Sequence, residues 1–180
     1  MKKKDLKKTS KIIWFTGISG VGKTTLSNAL FNKLKKKYRI KKIDGDIFRK
    51  KNKIKKIFTK KNILYNHKKI INYIKEISPK YDLILVSVIS PLRKTRLIAK
   101  KEFNKNYYEI NAKCSFKTLN ARDTKGLYFK ANLGKINLIG YNSKIKYEKS
   151  IYKVITINTN ILTIKESLNK ILLKTKINFN

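Results

Sequence analysis

Lys23 and Thr24 close a run, Gly17-Ile18-Ser19-Gly20-Val21-Gly22-Lys23-Thr24, that fits G-x-x-x-x-G-K-S/T at every defined position. These residue types at this spacing specify phosphate chemistry. Glycines let consecutive backbone N–H groups curl around an anion without Cβ clashes, and a helix opening at the lysine points its positive end at the same anion. The lysine reaches the β- and γ-phosphates, and the Thr24 hydroxyl is the natural ligand for a magnesium ion carried by the nucleotide. ATP and Mg²⁺ are therefore the expected cofactors. Gly17, Ile18, Ser19, Gly20, Val21, Gly22, Lys23, Thr24 and Thr25 are expected around the phosphates, with Thr24 on the metal.

The chain has ten acidic residues, and two of them, Asp44 and Asp46, flank Gly45 directly after a short alternating stretch that reads as a strand. Carboxylates at the carboxyl end of a strand in an open α/β sheet face the ligand-binding edge. An ordinary Asp-Gly turn is the alternative. In a phosphoryl-transfer site Asp44 is the expected base or orienter of an acceptor hydroxyl, and Asp46 assists through magnesium-bound water or shares that role; sequence does not separate two coupled carboxylates. Ser90, in a strand-to-helix loop with no activating base evident beside it, reads as a locally hydrogen-bonded loop residue. His67 is expected on a helix surface, and Trp14 in the core.

These residues need a scaffold, and hydrophobic periodicity supplies one. Strands are predicted at 12–16, 38–43, 82–87, 107–112 and 154–157, and the run Asp-Leu-Ile-Leu-Val-Ser at 82–87 is apolar enough for a central parallel strand covered on both faces. Helices are predicted after the glycine loop and over 62–77, 96–103 and 161–173, with a short helix and loop between 47 and 61 and another short helix capped by Ser115. Strands alternating with helices predict an α/β three-layer sandwich with a mainly parallel sheet. Residues 1–10 read as a basic tail, residues 11–180 as one P-loop kinase domain, and about 122–150, which lack sustained periodicity, as a mobile lid.

Composition narrows the classes further. A net charge of +36 attracts polyanions, but lysine is spread along nearly the whole chain with abundant Ile and Asn, and no recognition motif accompanies it, so specific nucleic-acid binding is not expected. Lys, Ile and Asn share codons rich in A and T, which explains the bias without selection for binding. One cysteine and one histidine make neither a disulfide nor a zinc site. The apolar runs are too short to span a membrane, and no leader-like apolar stretch follows the basic start, so the expectation is a cytoplasmic protein with no membrane association.

Taken as a set, four separated motifs resemble the adenylyl-sulfate kinase family of P-loop kinases. The opening Trp14 to Thr25 is similar to the family's W-x-T-G-x-S-G-x-G-K-S/T-T; Asp44, Gly45, Asp46 and Arg49 to its D-G-D-x-x-R; Ile89, Ser90, Pro91 and Arg93 to its I-S-P-x-R; and Arg122, Asp123, Lys125, Gly126, Leu127 and Tyr128 to its R-D-x-K-G-L-Y. A Phe nine residues after Arg49 and an Asn seventeen after it, Phe58 and Asn66, also fall at the family's spacing. The resemblance implies ATP-dependent phosphorylation of the 3′-hydroxyl of adenosine 5′-phosphosulfate in sulfate assimilation. It implies substrate contacts from Asp44, Arg49, Phe58, Asn66, Ile89 and Lys125, with Arg49 on the anionic group and Phe58 stacked on adenine, and it offers a phosphoserine intermediate at Ser90 as the alternative to a plain loop residue. A homodimer and a sulfate adenylyltransferase partner follow from the same resemblance. One departure stands out: fourteen residues after Arg49, where the family usually has a second arginine, this chain has Ile63, with Lys60 and Lys61 as the nearest replacements for the lost charge. A kinase for another acceptor, a nucleoside or a sugar, is the alternative that Ile63 motivates.

Overall fold

The computed structural model describes residues 10–54, 58–123 and 125–178. The basic tail, apart from Ser10, lies outside them. Five strands, β1 (Lys11–Thr16), β2 (Ile40–Asp44), β3 (Leu83–Ser87), β4 (Tyr107–Lys113) and β5 (Ile155–Asn158), form one sheet in the order β2-β3-β1-β4-β5, every neighbouring pair parallel. Seven helices accompany them among the described residues: α1 (Lys23–Leu34), α2 (Gly45–Lys51), α3 (Lys60–Ile77), α4 (Arg93–Phe103), α5 (Phe116–Arg122), α6 (Leu127–Asn132) and α7 (Ile164–Thr175). None is long and apolar enough to cross a membrane.

Alternation along the strands builds the two faces. Ile13 and Phe15 of β1 pack with Leu26 and Leu30 of α1 and Leu168 and Ile171 of α7, while Ile12 and Trp14 pack with Ile70 and Ile74 of α3 and Ala99 of α4. Burying such side chains contributes about 1.5–3 kcal/mol each, so β1, with five of six residues buried, is the mechanical centre of the molecule. All five strands end at one edge, and the predicted phosphate loop, acidic pair and Ile89-Ser90-Pro91 segment all fall on that edge.

Three differences from the sequence expectation bear on the site. The last helix starts at Ile164, not Ile161, because Thr163 and Glu166 form a reciprocal capping box that fixes the first turn, leaving Ile161 exposed. Helix α2 begins at Gly45, since the Asp44 carboxylate caps it by accepting from the N–H groups of Asp46 and Ile47. Within the segment read as a mobile lid without sustained periodicity lies α6, whose first turn is held by Asp123: its carboxylate accepts from Tyr128 N–H at 3.1 Å and Phe129 N–H at 2.8 Å.

Candidate active site

The loop from Gly17 to Gly22 leaves β1 and enters α1. At Gly17 a Cβ would lie 2.4 Å from the Ala112 carbonyl oxygen, and Gly22, which precedes the first helical residue, has φ +89°, so glycine is required at both. Lys23 Nζ folds back to donate to the Ile18 carbonyl at 2.7 Å. Burial, with Lys125 adding repulsion, lowers its pKa to about 7 despite the opposing pull of Asp44. Such a lysine regains its proton when an anion enters the loop.

Thr24 Oγ1 donates to Asp44 Oδ2 at 3.2 Å, placing a hydroxyl and a carboxylate together at the phosphate end of the site. These are hard oxygen donors of the kind magnesium takes alongside phosphate. The buried Ser87 Oγ lines the same cleft without a protein partner. Asp46 pairs with Arg49, whose guanidinium lies 5.8 Å from the Phe58 ring centroid.

The site is three adjoining cavities. A central cleft is lined by the loop, Lys23, Thr24, Asp44, Asp46, Arg49 and Ser87. On one side it continues into a mainly apolar cleft containing Arg49, Phe58, Ile63, Asn66 and Ile89, so those four sequence-predicted substrate residues do converge, together with the departure Ile63. Lys125 does not join them; it lines the central cleft and the third cavity. That third cavity, of about 380 Å³, lies beyond the loop between the α5–α6 turn and the start of α7. Sequence reasoning assigned no ligand to it, although Gly20, Gly22, Thr25 and Lys125 of its lining were expected around the phosphates and substrate. The R-D-x-K-G-L-Y segment builds its wall: Arg122 Nη2 donates to the Thr159 carbonyl at 2.8 Å, Asp123 caps α6, and the Tyr128 hydroxyl reaches the Ser19 carbonyl of the loop at 2.7 Å. The residues lining the three cavities include Ser87, Asn66 and Ser167 respectively, each with a buried side-chain oxygen that has no hydrogen-bond partner in the protein.

His67 requires a correction, and Ser90 is found beside it. His67 is buried, not on the surface, and its Nε2 lies 2.8 Å from Ser90 Oγ while Nδ1 lies 2.7 Å from the Ile63 carbonyl. A carbonyl cannot donate, so Nδ1 carries the proton and Nε2 accepts from Ser90; the Trp14 indole N–H donates to the same hydroxyl at 2.9 Å. This arrangement has the outline of an activated nucleophile. Two facts argue for a structural knot instead. Ser90 is completely buried, and burial, aided by Arg49 and Arg96 against the Ile63 hydrogen bond, lowers the His67 pKa to about 4, too far below neutrality for an effective base. The Ser90 carbonyl is held in turn by Arg96, itself fully buried and ion-paired with Glu109 at 3.2 Å.

A stability prediction arises directly. The folded His67 pKa, about 4, lies below its ordinary 6.5, so between these values the unfolded chain binds a proton that the folded chain refuses. Stability is full above pH 6.5 and falls as pH drops toward 4, by on the order of 3 kcal/mol at the lower end. Urea unfolding followed across this range should show that slope, and His67→Gln, which keeps a hydrogen-bonding amide beside Ser90, should flatten it. An equal slope in the variant would assign the effect to carboxylates instead.

A parallel sheet whose first strand feeds a glycine loop, with a lysine and a threonine at the helix start, a carboxylate ending the next strand in the chain and a second opening the helix after it, defines a P-loop kinase. Comparison with known proteins narrows the class: the chain belongs to the adenylylsulphate kinase family, whose model matches residues 9–155. A probable adenylyl-sulfate kinase of Archaeoglobus fulgidus is 38% identical over 126 residues, covering 69% of this chain and 81% of that one. The adenylyl-sulfate kinase of Clostridium kluyveri is 31% identical over 174 residues, covering 96% and 86%. Among solved structures, the Mycobacterium tuberculosis APS kinase CysC in complex with AMPPNP and APS superposes with a TM-score of 0.81 at 24% identity, over 94% of this chain and 99% of that chain, a likeness of fold.

Proposed function

We propose that this protein transfers the γ-phosphoryl group of ATP to the 3′-hydroxyl of adenosine 5′-phosphosulfate. The observation that carries the reading is the convergence of Arg49, Phe58, Asn66 and Ile89 on one cleft that opens onto the P-loop cleft, in a chain of this family. Lys23 and the loop N–H groups hold the triphosphate, and the nucleotide base occupies the third cavity. Thr24 and Asp44 would hold magnesium, which supplies charge neutralisation at the transferring group. Asp44 orients the acceptor hydroxyl, with Asp46 sharing that task. Arg49 meets the acceptor's anionic end, Phe58 stacks on its adenine, and Asn66 Oδ1, buried without a protein partner, accepts a hydrogen bond from it. Lys125, from its position between the central cleft and the base cavity, serves as a second cation on the phosphates.

Ser90 supports the loop in this scheme and carries no phosphoryl group. A homodimer and association with a sulfate adenylyltransferase are part of the same proposal, as is a cytoplasmic location. A coupled ADP-release assay tests the reaction. Adenosine 5′-phosphosulfate should stimulate ADP formation well above the rate with ATP alone. A protein that binds ATP yet shows no stimulation, or that prefers a nucleoside or sugar by specificity constant, overturns the substrate assignment while leaving the fold in place.

A further inference from the structure

The Ile89-Ser90-Pro91 loop is held from outside at each of its three residues. Ser90 has φ +45°, a backbone conformation that residues other than glycine rarely adopt, so the loop keeps this shape because its surroundings impose it. Arg96 Nη1 donates to the Ser90 carbonyl at 2.5 Å, and Glu148 N–H donates to the Pro91 carbonyl at 2.9 Å. The Ile89 carbonyl takes two donors, Thr16 Oγ1 at 2.7 Å and Gly17 N–H at 3.3 Å, both from the residues that launch the glycine loop. Ile89 lines the phosphate cleft and the acceptor cleft alike, so these two bonds tie the acceptor side of the site to the phosphate side.

The chain of donors continues beyond Thr16. Its hydroxyl has one proton, which goes to Ile89, so at the 2.8 Å contact with the Tyr147 hydroxyl the tyrosine donates and Thr16 accepts. The Tyr147 ring is seated 5.0 Å from the guanidinium of the fully buried Arg96, which also holds the carbonyl of the next residue, Glu148. Tyr147 and Glu148 therefore reach all three loop residues: Ile89 through Thr16, Ser90 through Arg96 and Pro91 directly. We infer that Tyr147 is a positioning residue for phosphoryl transfer: through Thr16 it locks Ile89 against the start of the glycine loop and so sets how the acceptor hydroxyl faces the γ-phosphoryl group. This rests on the proposed transfer to an acceptor in the cleft of Arg49, Phe58 and Asn66, and adds to it the element that aligns the two substrates.

Such a role separates alignment from affinity. The grip on ATP is assigned to Lys23 and the loop N–H groups, and that on the acceptor to Arg49, Phe58 and Asn66, side chains outside the Tyr147–Thr16–Ile89 chain. Steady-state kinetics of the full-length protein with ATP and adenosine 5′-phosphosulfate, paired with melting curves, test it. Tyr147→Phe keeps the ring over Arg96 and should lower kcat about tenfold, within the roughly hundredfold that a misplacement of about 1 Å can cost. Both KM values should stay within about twofold of the parent, with the melting temperature close to it. Thr16→Val should lower kcat at least as much, and the double variant no further than Thr16→Val alone, because the two hydroxyls act as one chain. Unchanged kcat in Tyr147→Phe, a loss carried by the acceptor's KM alone, or additive losses in the double variant overturns the inference. Tyr147→Phe decides by itself if Thr16→Val does not fold. Failure of the underlying reading looks different: the parent protein is not stimulated by adenosine 5′-phosphosulfate, and the same comparison of kcat with KM, made with the acceptor it does phosphorylate, then decides the role of Tyr147.

Discussion

Asp44→Ala should lower turnover by about 10²–10⁴-fold, the range over which a positioned acid–base group contributes to catalysis. The reason is its place in two networks at once. Its Oδ2 accepts from Thr24, the hydroxyl assigned to magnesium, and its Oδ1 caps α2, which carries Asp46 and Arg49 into the site. Asp44→Asn keeps an oxygen for the cap and removes the charge, so it should retain the thermal stability that alanine loses while still losing turnover. Lys23→Ala should produce a loss of similar order through ATP binding and transition-state charge. Asp46 is exposed and tied to Arg49, so Asp46→Asn should raise the acceptor's KM through a misplaced arginine more than it lowers kcat. Near-wild-type turnover in Asp44→Asn alongside a collapse in Asp46→Asn would exchange the two roles.

The parts of this site that could be read from sequence are those in which one short segment makes its own geometry. The glycine loop, the Asp-Gly-Asp corner and the Ile-Ser-Pro loop each follow a strand, and a strand end in a parallel sheet fixes where the next residues point. The base cavity was not legible because it is assembled from the loop, α5, α6, the end of β5 and α7, none of which carries a complete signal. Helix α6 is six residues long, too short for periodicity, and is started by a side chain, Asp123, four positions before its first residue. His67 was legible but misread: it falls four residues after Ile63 and three before Ile70, on the same stripe as Ile74 and Ile77, and that spacing already placed it inside. Its partner Ser90 is 23 residues away, and sequence offers no rule for that pairing.

Ile63→Arg should tighten adenosine 5′-phosphosulfate by about ten- to a hundredfold, the equivalent of one charge-assisted contact of roughly 1.5–3 kcal/mol, with ATP affinity little changed. The structure sharpens this expectation in two ways. Ile63 lines the acceptor cleft with Arg49, Phe58 and Asn66, so an arginine there has an anionic substrate to meet, whereas Lys60 and Lys61 are exposed and lie outside the cleft lining. Replacing both lysines with alanine should therefore leave the acceptor's KM unchanged. The isoleucine also packs with Leu92, Ile139 and Ile145, so the substrate-free variant should be less stable than the parent chain, and adenosine 5′-phosphosulfate should restore part of that loss by binding only the folded state. Calorimetry with the acceptor in the presence of ADP, paired with melting curves in its presence and absence, reads both effects. If the arginine destabilises the protein and the acceptor neither binds more tightly nor restores stability, Ile63 is a packing residue, the cleft beside it does not hold the anionic end of the substrate, and the placement of Arg49 on that group has to be abandoned with it.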